Sequence, residues 1–344
     1  MVILDSKLCE TMLALSKSPI LISVLALCDL CCIVAAPLLS YWLVRIWKVK
    51  LMHYNSRMLL CFHIACLLLH VLGRAFLHST DLIIFATSSR ICDVVHTRTQ
   101  CFFLRLPFNV AMFAANCSAI FASIERLIAT LNIRNYEKGF RNVGHYLLLS
   151  QIIMSACLLG IMYSQTRLDD TPLIYCQTTS PTNYMWTVYP FAFQMILQIL
   201  SVLLFEVADR KNKICSLSNA RRSGTLSGKF QLEENLWTIR TLKAYVYLNS
   251  CITATYLITM CIILFKNELL TRPTYYSLIE GTSGMYLYSL ALPLLLWYTR
   301  KDVKNEIRSA VNQAASTNSE QLFRELQLSW SSHWNIRSVS HRNY

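Results

Sequence analysis

Seven long apolar stretches divide this chain, and that count confines it to a membrane. They lie at about 19–43, 58–78, 101–131, 143–163, 186–207, 242–265 and 276–297, the third with its last turns in the cytosol. Crossing the hydrocarbon core takes about 20 apolar residues as a helix. None of the stretches alternates strictly as a barrel strand does, so each reads as a helix whose backbone groups satisfy one another. The expected fold is an all-α membrane protein, a seven-transmembrane helix bundle with the N-terminus outside and a short amphipathic cytosolic helix after the last span.

Charge placement sets the orientation. Of 344 residues, 54% are hydrophobic and only 15% charged, against about 25% charged in soluble domains. The net charge of +13 would suggest nucleic acid in a soluble protein, but here its location decides. Arg45, Lys48, Lys50 and Arg57 stand between spans one and two; Arg134, Lys138 and Arg141 between three and four. Arg210, Lys211, Lys213, Arg221, Arg222, Lys229 and Arg240 stand between five and six, and Arg300, Lys301, Lys304 and Arg308 follow span seven. The alternate loops carry only Arg90 and Arg98, then Arg167, then Lys266 and Arg272. The positive-inside rule puts these poorer loops outside. The charge is a topology signal and gives no case for nucleic acid. Three regions follow: an extracellular N-terminus at 1–18, a seven-span domain at 19–299 and a cytosolic tail at 300–344. No cleavable leader is evident in the first 18 residues, so span one is expected to act as an uncleaved signal anchor. The segment 216–228, rich in Ser, Gly and Arg, is expected to be among the least structured.

The cysteines sort by compartment. Cys9, Cys92, Cys101 and Cys176 fall outside, where disulfides persist. Four cysteines allow three complete pairings. Cys101 with Cys176 is favoured, which would tie the second outer loop to the top of span three; Cys92 paired with Cys9, or free, stays open.

Polar residues inside the spans are the candidates for binding. His63, His70, Arg74 and His78 share one face of span two. Such a stripe faces the bundle interior more readily than lipid, although Arg74 and His78 could also snorkel to the outer interface. Asn109 and Asn116 lie seven apart in span three, Gln194 and Gln198 four apart in span five, and Glu280 in the outer part of span seven. Glu280 could balance Arg74 or meet a cationic ligand. Buried amides often serve only to join helices. Arg74, Asn109, Asn116, Gln194 and Glu280 are the candidate pocket residues. No metal-ligand set, phosphate loop, zinc motif or nucleophile elbow is present in the sequence, so catalysis and a cofactor are not expected. Transporters often show related halves and interrupted helices; with 8 Gly in all and no matching halves, a seven-span channel or transporter is the alternative rather than the leading reading. Pro293 is expected to kink span seven.

At the cytosolic side, span three closes on Glu125-Arg126, 25 residues after Cys101. A helix covers roughly 37 Å over that interval, about a bilayer with its interfaces. Leu232, Leu236, Ile239 and Leu242 form an apolar stripe leading into span six, with Glu233, Glu234 and Arg240 beside it. Glu233 or Glu234 could reach Arg126. Val303, Ile307 and Val311 among Lys301, Lys304 and Arg308 suggest a basic helix on an anionic leaflet.

Seven spans, an outer cysteine pair and the Glu-Arg pair 25 residues below Cys101 resemble a G-protein-coupled receptor over residues 19–312. The chain departs from the rhodopsin-like class: Leu127 follows Arg126 where an aromatic is usual, span six lacks Cys-Trp-x-Pro, and span seven has Leu292-Pro293-Leu294-Leu295-Leu296-Trp297-Tyr298. Phe108 stands where amine receptors carry an aspartate. Ser123-Ile124-Glu125-Arg126-Leu127-Ile128-Ala129-Thr130 with Asn135-Tyr136-Glu137, and Phe230-Gln231-Leu232-Glu233-Glu234-Asn235, resemble the nematode serpentine chemoreceptors of the Sra superfamily, class alpha/beta first. The resemblance implies a chemosensory receptor in the plasma membrane of sensory neurons, often ciliary. Its implied partners are a small odorant or secreted metabolite outside, a heterotrimeric G protein inside and the lipid bilayer around it. Glu125, Arg126, Glu233, Glu234 and Arg240 would carry the G-protein coupling.

Overall fold

The computed structural model describes residues 6–48, 52–87, 96–132, 136, 142–177, 184–221 and 226–299, with the side chains of 6, 7 and 215–237 outside the description. A short helix α1 (Ser6–Ser16) precedes the first span and buries Met12 and Leu15. Spans one to six are α2 (Pro19–Trp47), α3 (Tyr54–Thr87), α4 (Arg98–Leu131), α5 (Val143–Tyr163), α6 (Met185–Arg221) and α7 (Leu226–Phe265). Each contains a stretch long and apolar enough to cross a membrane. A 3-10 turn at Asn267–Leu269 leads to α8 (Arg272–Gly281), and α9 covers residues 285–299. Together α8 and α9 form the seventh span. The chain divides into two units, Met1–Leu296 and Trp297–Tyr344, and only residues 297–299 of the second are described. The amphipathic helix expected at 303–311 therefore lies outside the described residues.

Local chemistry explains the boundaries. Ser18 caps α2 by accepting from the Leu21 amide, with Pro19 at the first turn where its missing N–H costs nothing. Thr97 and Gln100 close α4 with a reciprocal capping box. Several elements differ from the sequence reading. Span two is longer than 58–78, since α3 runs on to Thr87 and buries His78 and Asp81. The segment 216–228 is helical through Arg221 and again from Leu226, because α6 and α7 both continue past the apolar window. Span seven starts at Arg272 and is interrupted at 282–284, whereas Pro293 lies within α9. Thr282, Ser283 and Gly284 are poor helix formers. The break is closed by neighbours: the Tyr286 hydroxyl donates to the Gly281 carbonyl at 2.5 Å, and the Cys28 thiol donates weakly to the Glu280 carbonyl at 3.9 Å. Freed backbone groups at membrane depth need such partners.

Helix α4 is the hub, packing against α3, α5, α6 and α7. Within its apolar window 78% of residues are buried, against 28% for α5. Small residues on α4 (Ala111, Ala114, Ala115, Ala119, Ala122) allow the neighbours to approach. The close approach of α5 to α3 rests on Gly144, where a Cβ would sit 2.8 Å from Asn55 Oδ1 and 3.0 Å from its Cα. Outer faces present Leu30, Phe76, Leu203 and Ile262. In water these would be a cost, whereas in lipid they match the solvent.

Candidate functional site

The outer half of the bundle holds a buried ionic group. His70, Arg74, His78 and Asp81 line one face of α3, Arg105 and Phe108 come from α4, and Glu280 ends the first half of span seven. Glu280 is fully buried and receives both arginines. Arg74 Nη1 ion-pairs with Oε2, and Arg105 Nη2 reaches Oε1 at 2.6 Å. The Tyr175 hydroxyl donates to Oε1 at 3.3 Å. Arg74 also donates to His78 Nε2 at 3.2 Å. Both guanidiniums lie over the Phe108 ring, 5.5 and 5.8 Å from its centroid, a favourable cation–π arrangement away from water. His70 Nδ1 donates to the Phe108 carbonyl at 3.1 Å.

Tyr175 comes from the second outer loop and is fixed there covalently. The neighbouring Cys176 forms a disulfide with Cys101, Cα to Cα 5.2 Å. The same loop pairs with the chain entering α4: Leu173 N–H donates to the His96 carbonyl and Arg98 N–H to the Thr171 carbonyl, both 3.0 Å. Arg98 meets Asp169 at 3.0 Å on the surface. The Thr171 hydroxyl bonds the Asp169 carboxylate and, with Arg98 close by, holds it below its ordinary pKa. Burial, then the charges of Glu280 and Asp81, push the Tyr175 phenol well above its ordinary value, so it stays a donor. Cys9 is also disulfide-bonded; Cys92 lies outside the described residues.

The candidate pocket residues do not form one cluster. Arg74 and Glu280 meet directly. Asn116 and Gln194 also meet, Nδ2 to Oε1 3.3 Å, but about 16 Å further along α4 from Arg105. Gln198 donates to the Asn116 carbonyl at 2.6 Å and Thr253 to its Oδ1 at 3.3 Å, so this group joins α4, α6 and α7. Asn109 is half-buried and donates to the Tyr163 hydroxyl at 2.5 Å, joining α4 to α5. Further along α4 than Asn116, Ser118 Oγ lies 2.7 Å from both His63 Nδ1 and the Tyr245 hydroxyl, and His63 Nε2 lies 2.7 Å from the Tyr288 hydroxyl. All four polar residues singled out on α3 are buried, so Arg74 and His78 face the bundle and do not snorkel.

Sequence reading missed Arg105, Asp81, Asp29 and Tyr175. Asp29 of α2 accepts from Ser79 at 2.8 Å. Arg105 follows Cys101 by four residues, so it shares the face that holds the disulfide; that spacing was the available signal. Among the described residues no group of His, Cys, Asp and Glu could hold a metal ion.

At the cytosolic end, Glu125 and Arg126 are both buried and joined by two contacts of 2.5 Å. Glu125 also accepts from Ser56 at 2.8 Å and from Tyr136 at 2.6 Å, and Asn55 donates to the Tyr136 hydroxyl at 3.0 Å. Burial, then the Glu125 charge, raise the Tyr136 phenol well above its ordinary value. Arg240 is exposed on α7, and the side chains of Glu233 and Glu234 lie outside the described residues. Beside them Lys243 ties α7 to α6 through Glu206 at 2.8 Å and Asp209 at 2.9 Å.

Residues 6–331 match the model of a family described as serpentine type 7TM GPCR receptor class ab chemoreceptor. Similar proteins include serpentine receptor class alpha/beta-14 of Caenorhabditis elegans, 27% identical over 183 residues, and serpentine receptor class beta-16 of the same organism, 22% identical over 219 residues. The alignments cover 52% and 62% of this chain and span 45% and 61% of those proteins.

Proposed function

Since the chain belongs to the serpentine class ab chemoreceptor family, we propose that this multi-pass membrane protein is a chemosensory receptor that binds a small extracellular molecule and activates a heterotrimeric G protein. One observation carries the reading: the central helix α4 holds a buried ionic group near each end, Arg105 on Glu280 outside and Glu125-Arg126 inside. A ligand that alters the outer group bears on the same rigid element that presents the inner one. It would shift the population toward an active state only through its different affinity for the two states. The outer pocket is assigned to Arg74 and Glu280, with Asn116 and Gln194 below them and Asn109 at its flank. Glu125 and Arg126, with Glu233, Glu234 and Arg240 on the span-six extension, are assigned to coupling. Glu280 is engaged by two arginines and a phenol, which argues against a role as counter-ion to a cationic ligand. The setting proposed for this role is the plasma membrane of a sensory neuron, with the cilium as one place within it.

The test is Arg126→Ala in cells that report G-protein activation. Surface delivery is expected to stay near wild type and ligand-driven activation to vanish. Activation at wild-type strength overturns the coupling assignment.

A further inference from the structure

Resting on the receptor reading above, we infer that the outer ionic group recognises a small molecule bearing a carboxylate, taken by the free donor edges of Arg74, Arg105 and His78. The first argument is charge. In direct ion contact, one carboxylate serves two guanidiniums. Asp81 is buried nearby but makes no ion pair among the described residues, and its Oδ2 has no hydrogen-bond partner. Counted by contact, the group therefore holds two cations and one anion, with Asp81 within electrostatic reach of Arg105 but not in contact with it.

The second argument is the hydrogen-bond inventory. Arg74 Nε and Arg105 Nε are buried and have no hydrogen-bond partner among the described residues. Arginine can only donate, so His78 Nε2 accepts from Arg74 and the ring proton of His78 sits on Nδ1. That atom too has no hydrogen-bond partner among the described residues. Three donors from two helices thus want an acceptor. Buried polar groups are normally satisfied, and exceptions point to a missing group. The planar edge of a guanidinium, Nε beside a terminal nitrogen, matches a carboxylate. An amine would add a fourth donor to this group and meet an acid already engaged by two arginines and a phenol. The ligand's acid would take the place that these donors leave open, while Glu280 holds the two arginines in register. Tyr175 is the one member carried by a loop rather than a helix, so it is the part that yields as the acid enters. Unmatched acceptors sit beside the donors, at Asp81 Oδ2 and His70 Nε2. They fit a hydroxyl on the same ligand.

The test uses the purified full-length receptor in nanodiscs and a set of C4–C10 carboxylates, each with its methyl ester and the primary amine of the same chain length. One or more acids are expected to raise the melting temperature, with no effect from the ester or amine. Arg105→Gln should raise the half-saturating concentration by about tenfold or more. Arg105→Lys, which keeps the charge but lacks the Nε edge, should fall between the two and carries the comparison if Arg105→Gln does not reach the membrane. Silence from every acid overturns the inference, as do esters equal to acids or both Arg105 variants equal to wild type. G-protein activation by amines or neutral compounds alone would keep the receptor reading and still overturn the acid. Stabilisation by acids without any G-protein activation would keep the site and overturn the receptor reading.

Discussion

The two buried ionic groups on α4 are built on opposite plans. Inside, the acid and the base are neighbours in sequence, Glu125 and Arg126, with uncharged donors from Ser56 and Tyr136 completing the carboxylate. Outside, Glu280 gathers Arg74 from 206 residues away and Arg105 from 175. The inner pair forms wherever α4 forms. The outer group forms only when α3, α4, span seven and the second outer loop have assembled. Charge differs as well: inside, one acid meets one base; outside, one acid meets two bases. A group that is locally complete can be passed as a unit from one conformation to another. A group that depends on distant elements and lacks an acceptor responds to something that arrives from outside.

The contrast is broken most directly at Glu280. Glu280→Gln leaves two buried guanidiniums without a carboxylate, and uncompensated buried charge costs about 3–5 kcal/mol. Most of the protein is expected to be lost from the cell surface, as read by surface immunolabelling. Arg126→Ala should cost less, because Glu125 keeps two hydroxyl donors. Equal losses in the two variants would remove the distinction. Next in size is the clamp that holds Tyr175 over the acid. Cys101→Ser and Cys176→Ser are expected to reduce surface delivery equally, by the roughly 2–5 kcal/mol typical of a native disulfide. A loss confined to one of them would contradict the bond. The inner group is sharpened by Tyr136→Phe, which removes one donor from Glu125 and costs about 1 kcal/mol. A lower melting temperature with normal surface delivery is expected; an unchanged melting temperature would show that Ser56 and Arg126 suffice.

Much of this was legible in the chain. Seven apolar windows pointed to the class, since lipid allows few alternatives, and the bias of Lys and Arg gave the expected orientation. The spacing of Cys101 to Arg126 located the central helix. The break in span seven was not legible, because Thr282, Ser283 and Gly284 are tolerated in membrane helices and spacing does not reveal that the Tyr286 and Cys28 side chains help to close the gap. The site was half legible. Arg74 and Glu280 stood out as charges at membrane depth. Arg105 did not, because four residues below a helix start looks like an interface position. Tyr175 was hidden because a loop tyrosine carries no periodic signal, and only the disulfide beside it sets its position. Asn109, Asn116 and Gln194 were visible as polar residues, but whether amides face a cavity or one another depends on helix rotation, which spacing alone leaves free.

The smallest effect belongs to the rim of the outer group. Asp169 is partly exposed, and its pKa is held below the ordinary 3.8 by the Thr171 hydroxyl and backbone amide, with Arg98 adding to it. A depressed carboxylate stabilises the folded state above its unfolded pKa, and that stabilisation fades as pH falls through the folded value. Salt screens an exposed pair, so the contribution is small. Thr171→Val should therefore lower the melting temperature slightly near neutral pH, and the gap to wild type should close as the pH is taken progressively below 3.8. A gap that stays constant over that range would mean that Thr171 acts through packing of the loop and not through the Asp169 charge. The outer rim would then owe its order to the disulfide and the backbone pairing with the start of α4.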